Sequence, residues 1–432
     1  MDTATAFLES LLSGRASVPA RPLGWRDELR GDALDRAHAL TLPTTRDEDW
    51  RFTDLSALYA LAFRPAAAAP RLAASAIEPL IAPEARARLV FVDGQFAPAL
   101  SRTATAGDIF AGELGSGADA PGVRATLAQL ALYRDDAFRA INTAYLGEAA
   151  VVIARRGAAS ADPIQVLFVA TQAGVAAHPR VLVIAEAGAD VHLLERYESL
   201  VDGVYCTNGV TEIAVGAGAR VRHVRVQRES GAAFHIATNA VRLERDAAYA
   251  AVSVSLGARI SRYNLNVVQA GEGATVELDG LALIGDRQLA DTHSFLDHAQ
   301  PHGTSRQLHK CVAGDRSHAV FNGRILVREG AQLTNSAQQS RNLLLSRGAH
   351  VDTKPQLEIF ADDVKCAHGA TVGQLESEEL FYLQSRGLSE KAARGLLTYG
   401  FAAEIVARIK VPTVAAALRR EVLAHTAKKE MA

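Results

Sequence analysis

Cys366 and His368 stand two residues apart in ADDVKCAHGATVG (361–373), behind a pair of carboxylates and ahead of a Gly-Ala pair. On a strand, side chains two apart share a face, so this thiol and imidazole would point the same way. Both suit zinc or an iron–sulfur cluster better than magnesium or calcium. Two ligands leave a site open. The others come from elsewhere in this chain or from another chain, or else the pair is packing, since cysteine is commonly a small buried hydrophobe.

The surrounding sequence is rich in further donors. His293, His298, His302, His309, His318, His350 and His368, seven of the thirteen histidines, fall between 293 and 368 together with Cys311 and Cys366. There is no C-x-x-C, H-E-x-x-H or four-cysteine run, so the local spacing predicts no self-contained metal site. Asp291 and His293, in DTHSFLDHAQPH (291–302), have the types of an acid–base pair. No nucleophile motif stands near them, and polar positions on the outside of a strand explain them equally well. No G-x-x-x-x-G-K-[ST] loop occurs, and GAGARV and GEGATV lie between strands rather than opening helices. An ATP-driven process would therefore draw its ATPase from another chain.

Composition removes other classes. A formal net charge of −2 gives no electrostatic case for nucleic acid or an anionic membrane. No apolar run reaches the roughly 18–20 residues of a membrane span. MDTATAFLESLLSGR lacks the basic and apolar regions of a secretory signal. The three cysteines, Cys206, Cys311 and Cys366, form no disulfide framework, and a reducing, cytoplasmic location is expected.

The elements that must position these residues change character along the chain. Residues 1 to about 64 have helix-spaced apolar positions in LESLL and ELRGDALDRAHAL, and PAAAAPRLAASAIE (65–78) reads as a linker. After a short strand at RLVFVDG and a loop at 113–122, residues 124–146 have the apolar spacing of one amphipathic helix. From about 150, valine-rich alternating runs follow one another as strands. Gly-Ala pairs recur at 188–189, 218–219, 273–274, 330–331, 348–349 and 369–370. With Asp246-Ala247 and Gly303-Thr304, the steps are 30, 28, 27, 30, 27, 18 and 21 residues. A turn at near-fixed spacing points to a parallel β-helix whose coils stack on one another, with an antiparallel sandwich as the alternative. The predicted division is an N-terminal helical region with linker and short strands (1–148), a β-helix core (149–374) and a C-terminal helical region (375–432).

EDWRFTDLSAL (48–58), VFNGRILV (320–327), TNSAQQSRNLLLS (334–346), VDTKPQLEIFADDVKCAHGATVGQL (351–375) and ELFYLQSRGL (379–388) together resemble the SufB/SufD family of the SUF iron–sulfur cluster assembly system. Within it the likeness is to the SufD side, because SufB proteins have additional cysteines and a cysteine-rich N-terminal stretch. The resemblance implies a mainly β protein: a right-handed parallel β-helix flanked by helical regions. It implies a scaffold without turnover of its own. The scaffold pairs with SufB through the β-helix cores and docks the SufC ATPase on its C-terminal helical region. The nascent cluster is built between SufB and SufD. By the same resemblance His368, with Cys366 beside it, is a candidate ligand at that partner interface. Leu380, Phe381, Tyr382, Leu383, Arg386 and Gly387 are candidates for the ATPase-docking surface. A transient cluster would be shared with SufB, reduced flavin would belong only to the assembled complex, and no cofactor is expected in the isolated chain. A homodimer of the isolated chain is compatible with pairing between homologous folds. The alternatives are a SufB-like subunit holding a cluster within its own chain, and a β-helix enzyme acting on polysaccharide.

Overall fold

From Asp190 onward the strands pair in parallel not with the next strand in sequence but with the strand two places along. Arg220–Arg228, for example, lies in parallel between Asp190–Ser199 and Ala248–Ser255. Alternate strands therefore build two separate sheets, and one coil consists of one strand from each. Sheet A ends in Thr304–Ala313, Asn335–Leu344 and Lys365–Gln374. Sheet B ends in Leu289–His298, His318–Val327 and His350–Ile359. The result is a parallel β-solenoid, described in a computed structural model over residues 2–17, 24–66, 70–104 and 107–428. Sheet A takes its first parallel strand from the N-terminal part of the chain, where Ala87–Val92 pairs with Ile164–Ala170.

The repeat is set at its corners. Residues with positive φ stand at Gly188, Gly218, Asp246, Gly273, His302 and Leu333, so coils are 27 to 31 residues long. Glycine reaches this left-handed region at no steric cost and Asp tolerates it, which is why the spacing was readable as far as Gly273. Beyond that the sequence reading slips. Gly348-Ala349 belongs to the opposite corner, just before His350–Ile359, and Gly369-Ala370 lies inside a strand. Leu333, a residue with no turn signature, takes the corner conformation with φ 61°.

Inward-facing Val191, Leu193, Val221, Val276 and Leu278 fill the early coils. Charged groups are also enclosed there. Arg225 lies fully buried between the rings of Tyr197 and Tyr263, 5.1 and 4.2 Å from their centres, and donates to His235. Parallel sheets are buried on both faces, and helices cover the outside of this one. Phe7, Leu11, Leu58 and Phe138 of the N-terminal region pack on Phe234, Ile236 and Ile260 of sheet B. Ile405, Val406, Val414, Leu418 and Val422 of helices Glu390–Val406 and Pro412–Lys428 pack on Val224, Val254, Leu281 and Leu308 of sheet A.

Two further expectations are revised. Residues 124–146 are not one helix but two short ones, Val123–Thr126 and Ala137–Ala144. The buried Glu212 carboxylate accepts hydrogen bonds from the backbone N–H groups of Ala128, Leu130 and Ala131, removing donors a continuous helix would need. Arg180, 2.6 Å away, neutralises that carboxylate. The linker at 65–78 is anchored at both ends, with Ala66 and Ile77 buried and a helical turn at Ala74–Ile77. Residues 67–69 within it lie outside the described residues.

Candidate functional site

The last strand, Lys365–Gln374, places Cys366 above Ser336, His368 above Gln338, Ala370 above Ser340 and Val372 above Asn342. Ser336, Gln338, Ser340 and Asn342 are buried inside the solenoid. Because register preserves the face, Cys366 and His368 both point along the interior, as period two required. Among the described residues no further strand follows on either sheet. The interior therefore opens at this end, and the inward face of the last strand is exposed beyond the half-buried Cys366. Phe360 and Val372, 64% and 48% exposed, stand at the same end.

Below the pair the interior is polar. Gln338 donates to Gln307, 2.7 Å away, and Gln307 exchanges hydrogen bonds with Ser294. Thr353 of sheet B donates to Ser340 across the interior at 3.1 Å. Gln338 Oε1 and Asn342 Oδ1 are buried without a partner. Sequence reasoning missed this ladder. Its signal was the small polar residues at every second position of NSAQQSRN, which reads as loop by composition but as a strand once the period is seen.

Cys366 is half-buried against the interior core, and burial pushes its thiol above the ordinary value, partly offset by a hydrogen bond from the Ser336 backbone. A metal must therefore displace a proton to bind it. Cys206 and Cys311 are fully buried, with thiols pushed up to about 12 by that burial. His293, Cys311 and His350, which the coil period allowed to be neighbours, are not brought together: in the register they stand opposite Asn322, Asn342 and His318. Asp291 and His293 do meet, at 3.1 Å, but on the outer face under the N-terminal region. Burial opposes charge on Asp291, yet Arg262 at 2.5 Å and His293 outweigh it and hold the carboxyl well below its usual range. Thr53 also donates to Asp291, so this group ties the N-terminal region to sheet B.

The second candidate surface is the helix Ser377–Ser385, which has no buried residue. Phe381 and Tyr382 are 72% and 58% exposed, and Leu380 and Leu383 are half-buried. Tyr382, Leu383, Leu396 and Leu397 line an open groove edged by Glu378 and Glu379. The Arg386 guanidinium lies 5.4 Å from the Tyr382 ring centre. Gly387 has φ 90°, and its N–H and that of Leu388 bond to the carbonyls of Gln384 and Leu383. That is the Schellman closure of a helix, so Gly387 acts on this surface through the turn it permits.

The architecture is a parallel solenoid with Cys366 and His368 at its open end and a helical region on the outer face of each sheet. The comparisons give its class. The model of the SUF system FeS cluster assembly SufBD core domain matches residues 168–401. The chain is 40% identical over 411 residues to an iron–sulfur cluster assembly SufBD family protein of Synechocystis, covering 92% of this chain and 90% of that one. It is 34% identical over 375 residues to the iron–sulfur cluster assembly protein SufD of Escherichia coli, covering 85% and 86%. A chloroplastic protein of Arabidopsis thaliana, ABCI7, is 37% identical over 282 residues, covering 63% and 59%. The chain belongs to the SufBD family of the SUF iron–sulfur cluster assembly system and is a homologue of SufD. Among the described residues no helix is long and apolar enough to cross a membrane.

Proposed function

We propose that this chain is a scaffold subunit of SUF cluster assembly, without turnover of its own. It pairs through its open end with SufB and docks the SufC ATPase on its C-terminal helical region. The observation that carries this reading is the uncapped last coil. The final strands of the two sheets, ten residues each, present free edges and an uncovered interior. Long free edges are a hazard unless something covers them, and a homologous coil has the matching shape. A partner seated there would bring its own ligands over Cys366 and His368. A site divided between chains can open when the chains separate, releasing a cluster that a closed cage would retain. The groove at Tyr382, Leu383 and Leu396, with exposed Phe381 and Arg386 beside it, supports the second docking. A homodimer formed through the same end is the resting state open to the isolated chain.

The test is cluster content of the complex co-expressed with SufB and SufC and isolated anaerobically, for wild type and His368→Ala. Iron, sulfide and visible absorption are compared once assembly is confirmed by gel filtration. A complex that assembles normally but has lost most of its iron and sulfide supports the divided site. Unchanged iron and sulfide remove His368 from the chemistry. A stable stoichiometric cluster on the isolated chain would instead favour the SufB-like reading.

A further inference from the structure

On the outer face of sheet B a second donor set converges, using neither Cys366 nor His368. His318 and His350 are in register on the last two strands of that sheet, with ring centres 5.1 Å apart. Asp352, two residues beyond His350, shares the face. Its Oδ2 lies 2.7 Å from His318 Nε2 and 3.3 Å from His350 Nε2. The three ligand atoms all fall within 4.8 Å of one another. His318 and Asp352 are held within the sheet, their side chains mostly covered, whereas the His350 side chain is 68% exposed. The cluster is thus rooted on one side and open on the other.

Two imidazole nitrogens directed at one carboxylate oxygen form a convergent set: neutral rings can each donate an N–H to that oxygen, and with the tautomers shifted each presents a lone pair beside the carboxylate. A cation at their meeting point satisfies all three. Ligand atoms about 2.1 Å from a common ion stand about 3–3.4 Å apart; the 3.3 Å separation already fits, and the 2.7 Å one must open slightly to admit an ion. We propose that His318, His350 and Asp352 form a divalent transition-metal site of the two-histidine, one-carboxylate type, taking Fe2+ or Zn2+. Magnesium and calcium, which prefer all-oxygen sites, are excluded. Three protein ligands leave coordination positions for water, so the ion exchanges with solvent rather than bracing the fold. This goes beyond the scaffold reading and departs from the expectation that the isolated chain binds no metal.

The experiment uses the tag-free full chain stripped with a chelator. Equilibrium dialysis under anaerobic conditions measures binding of Fe2+, Zn2+ and Mg2+, each alone and in competition. Co2+ substitution reports the ligand field by its visible spectrum. The site predicts one saturable equivalent for which Fe2+ and Zn2+ compete and which excess Mg2+ does not displace. His350→Ala and Asp352→Asn each weaken it at least tenfold, and Cys366→Ser and His368→Ala leave it intact. His350→Gln keeps the side chain's bulk at an exposed position and serves if either variant misfolds. Absence of a saturable equivalent overturns the proposal. So does an equivalent that survives the loss of His350, or one that disappears with Cys366.

Discussion

Lys310 Nζ lies 2.6 Å from Glu404 Oε2, joining the outer face of the sheet A strand Thr304–Ala313 to the C-terminal helix Glu390–Val406. The ammonium also donates to the Phe401 carbonyl at 2.8 Å and sits 4.6 Å from the centre of that ring. Together with Arg408 on Asp279, at 2.5 Å, it fixes the helical region to sheet A. Glu404→Ala leaves a buried ammonium without its carboxylate. The expected cost is about 1–2 kcal/mol, discounted because Glu404 itself is partly exposed. The loss should be local. Amide exchange should quicken in Glu390–Val406 while the strands of sheet B keep their protection, and uniform loosening of both would contradict this assignment.

Stability should fall on mild acidification. Burial lowers His298 and His309 to about 4. The folded chain therefore keeps both neutral while the unfolded chain protonates them near 6.5. Their contribution is complete above pH 6.5 and declines as pH falls towards 4. Urea midpoints at pH 7.5, 6 and 5 should drop in sequence. His309→Gln should give a shallower slope, whatever its stability at pH 7.5; parallel slopes would show that His309 is not a source of the effect.

Two glycines should fail for different reasons. A Cβ on Gly271 would lie 2.0 Å from the Arg245 backbone nitrogen, in the turn of the neighbouring coil. Gly271→Ala should cost about 3 kcal/mol, because backbone must move to admit it. Gly218 has open space around it but φ 64°. Gly218→Ala should cost about 1–2 kcal/mol from conformation alone. Thermal melts of the two variants should rank them in that order.

Of the three cysteines, Cys366 alone should react with an alkylating agent in the native chain, since Cys206 and Cys311 are buried. Its raised thiol makes the reaction slow at pH 7 and faster towards pH 9. Mass spectrometry of the labelled chain reads this directly. Protection of Cys366 on adding SufB would place the partner over the open end, and unchanged labelling would exclude it from there.

Much of this architecture is legible in the sequence, and what is hidden has physical causes. Gly188, Gly218, Asp246 and Gly273 announce their corners because few other residues tolerate positive φ. Leu333 does the same work unannounced, its conformation imposed by the coils on either side. Cys366 and His368 are readable as a pair sharing a face because period two is local. That their strand is the last one, with nothing above it, is a property of topology and not of the motif. His318 and His350 are 32 residues apart, and their meeting requires knowing the register. Val320, Phe321 and Ile325 disclose a strand at once, whereas Ser336, Gln338 and Ser340 conceal one, because their polar side chains turn inward onto Ser305, Gln307 and Thr353 of neighbouring strands.

The unfinished last coil also makes the protein's fate a matter of supply. Chains synthesised in excess of whatever completes the solenoid present the same adhesive edge to one another, so overproduction carries its own penalty. Under the proposed pairing, balanced synthesis of the two chains, rather than abundance of either, is the condition under which such an end is safe.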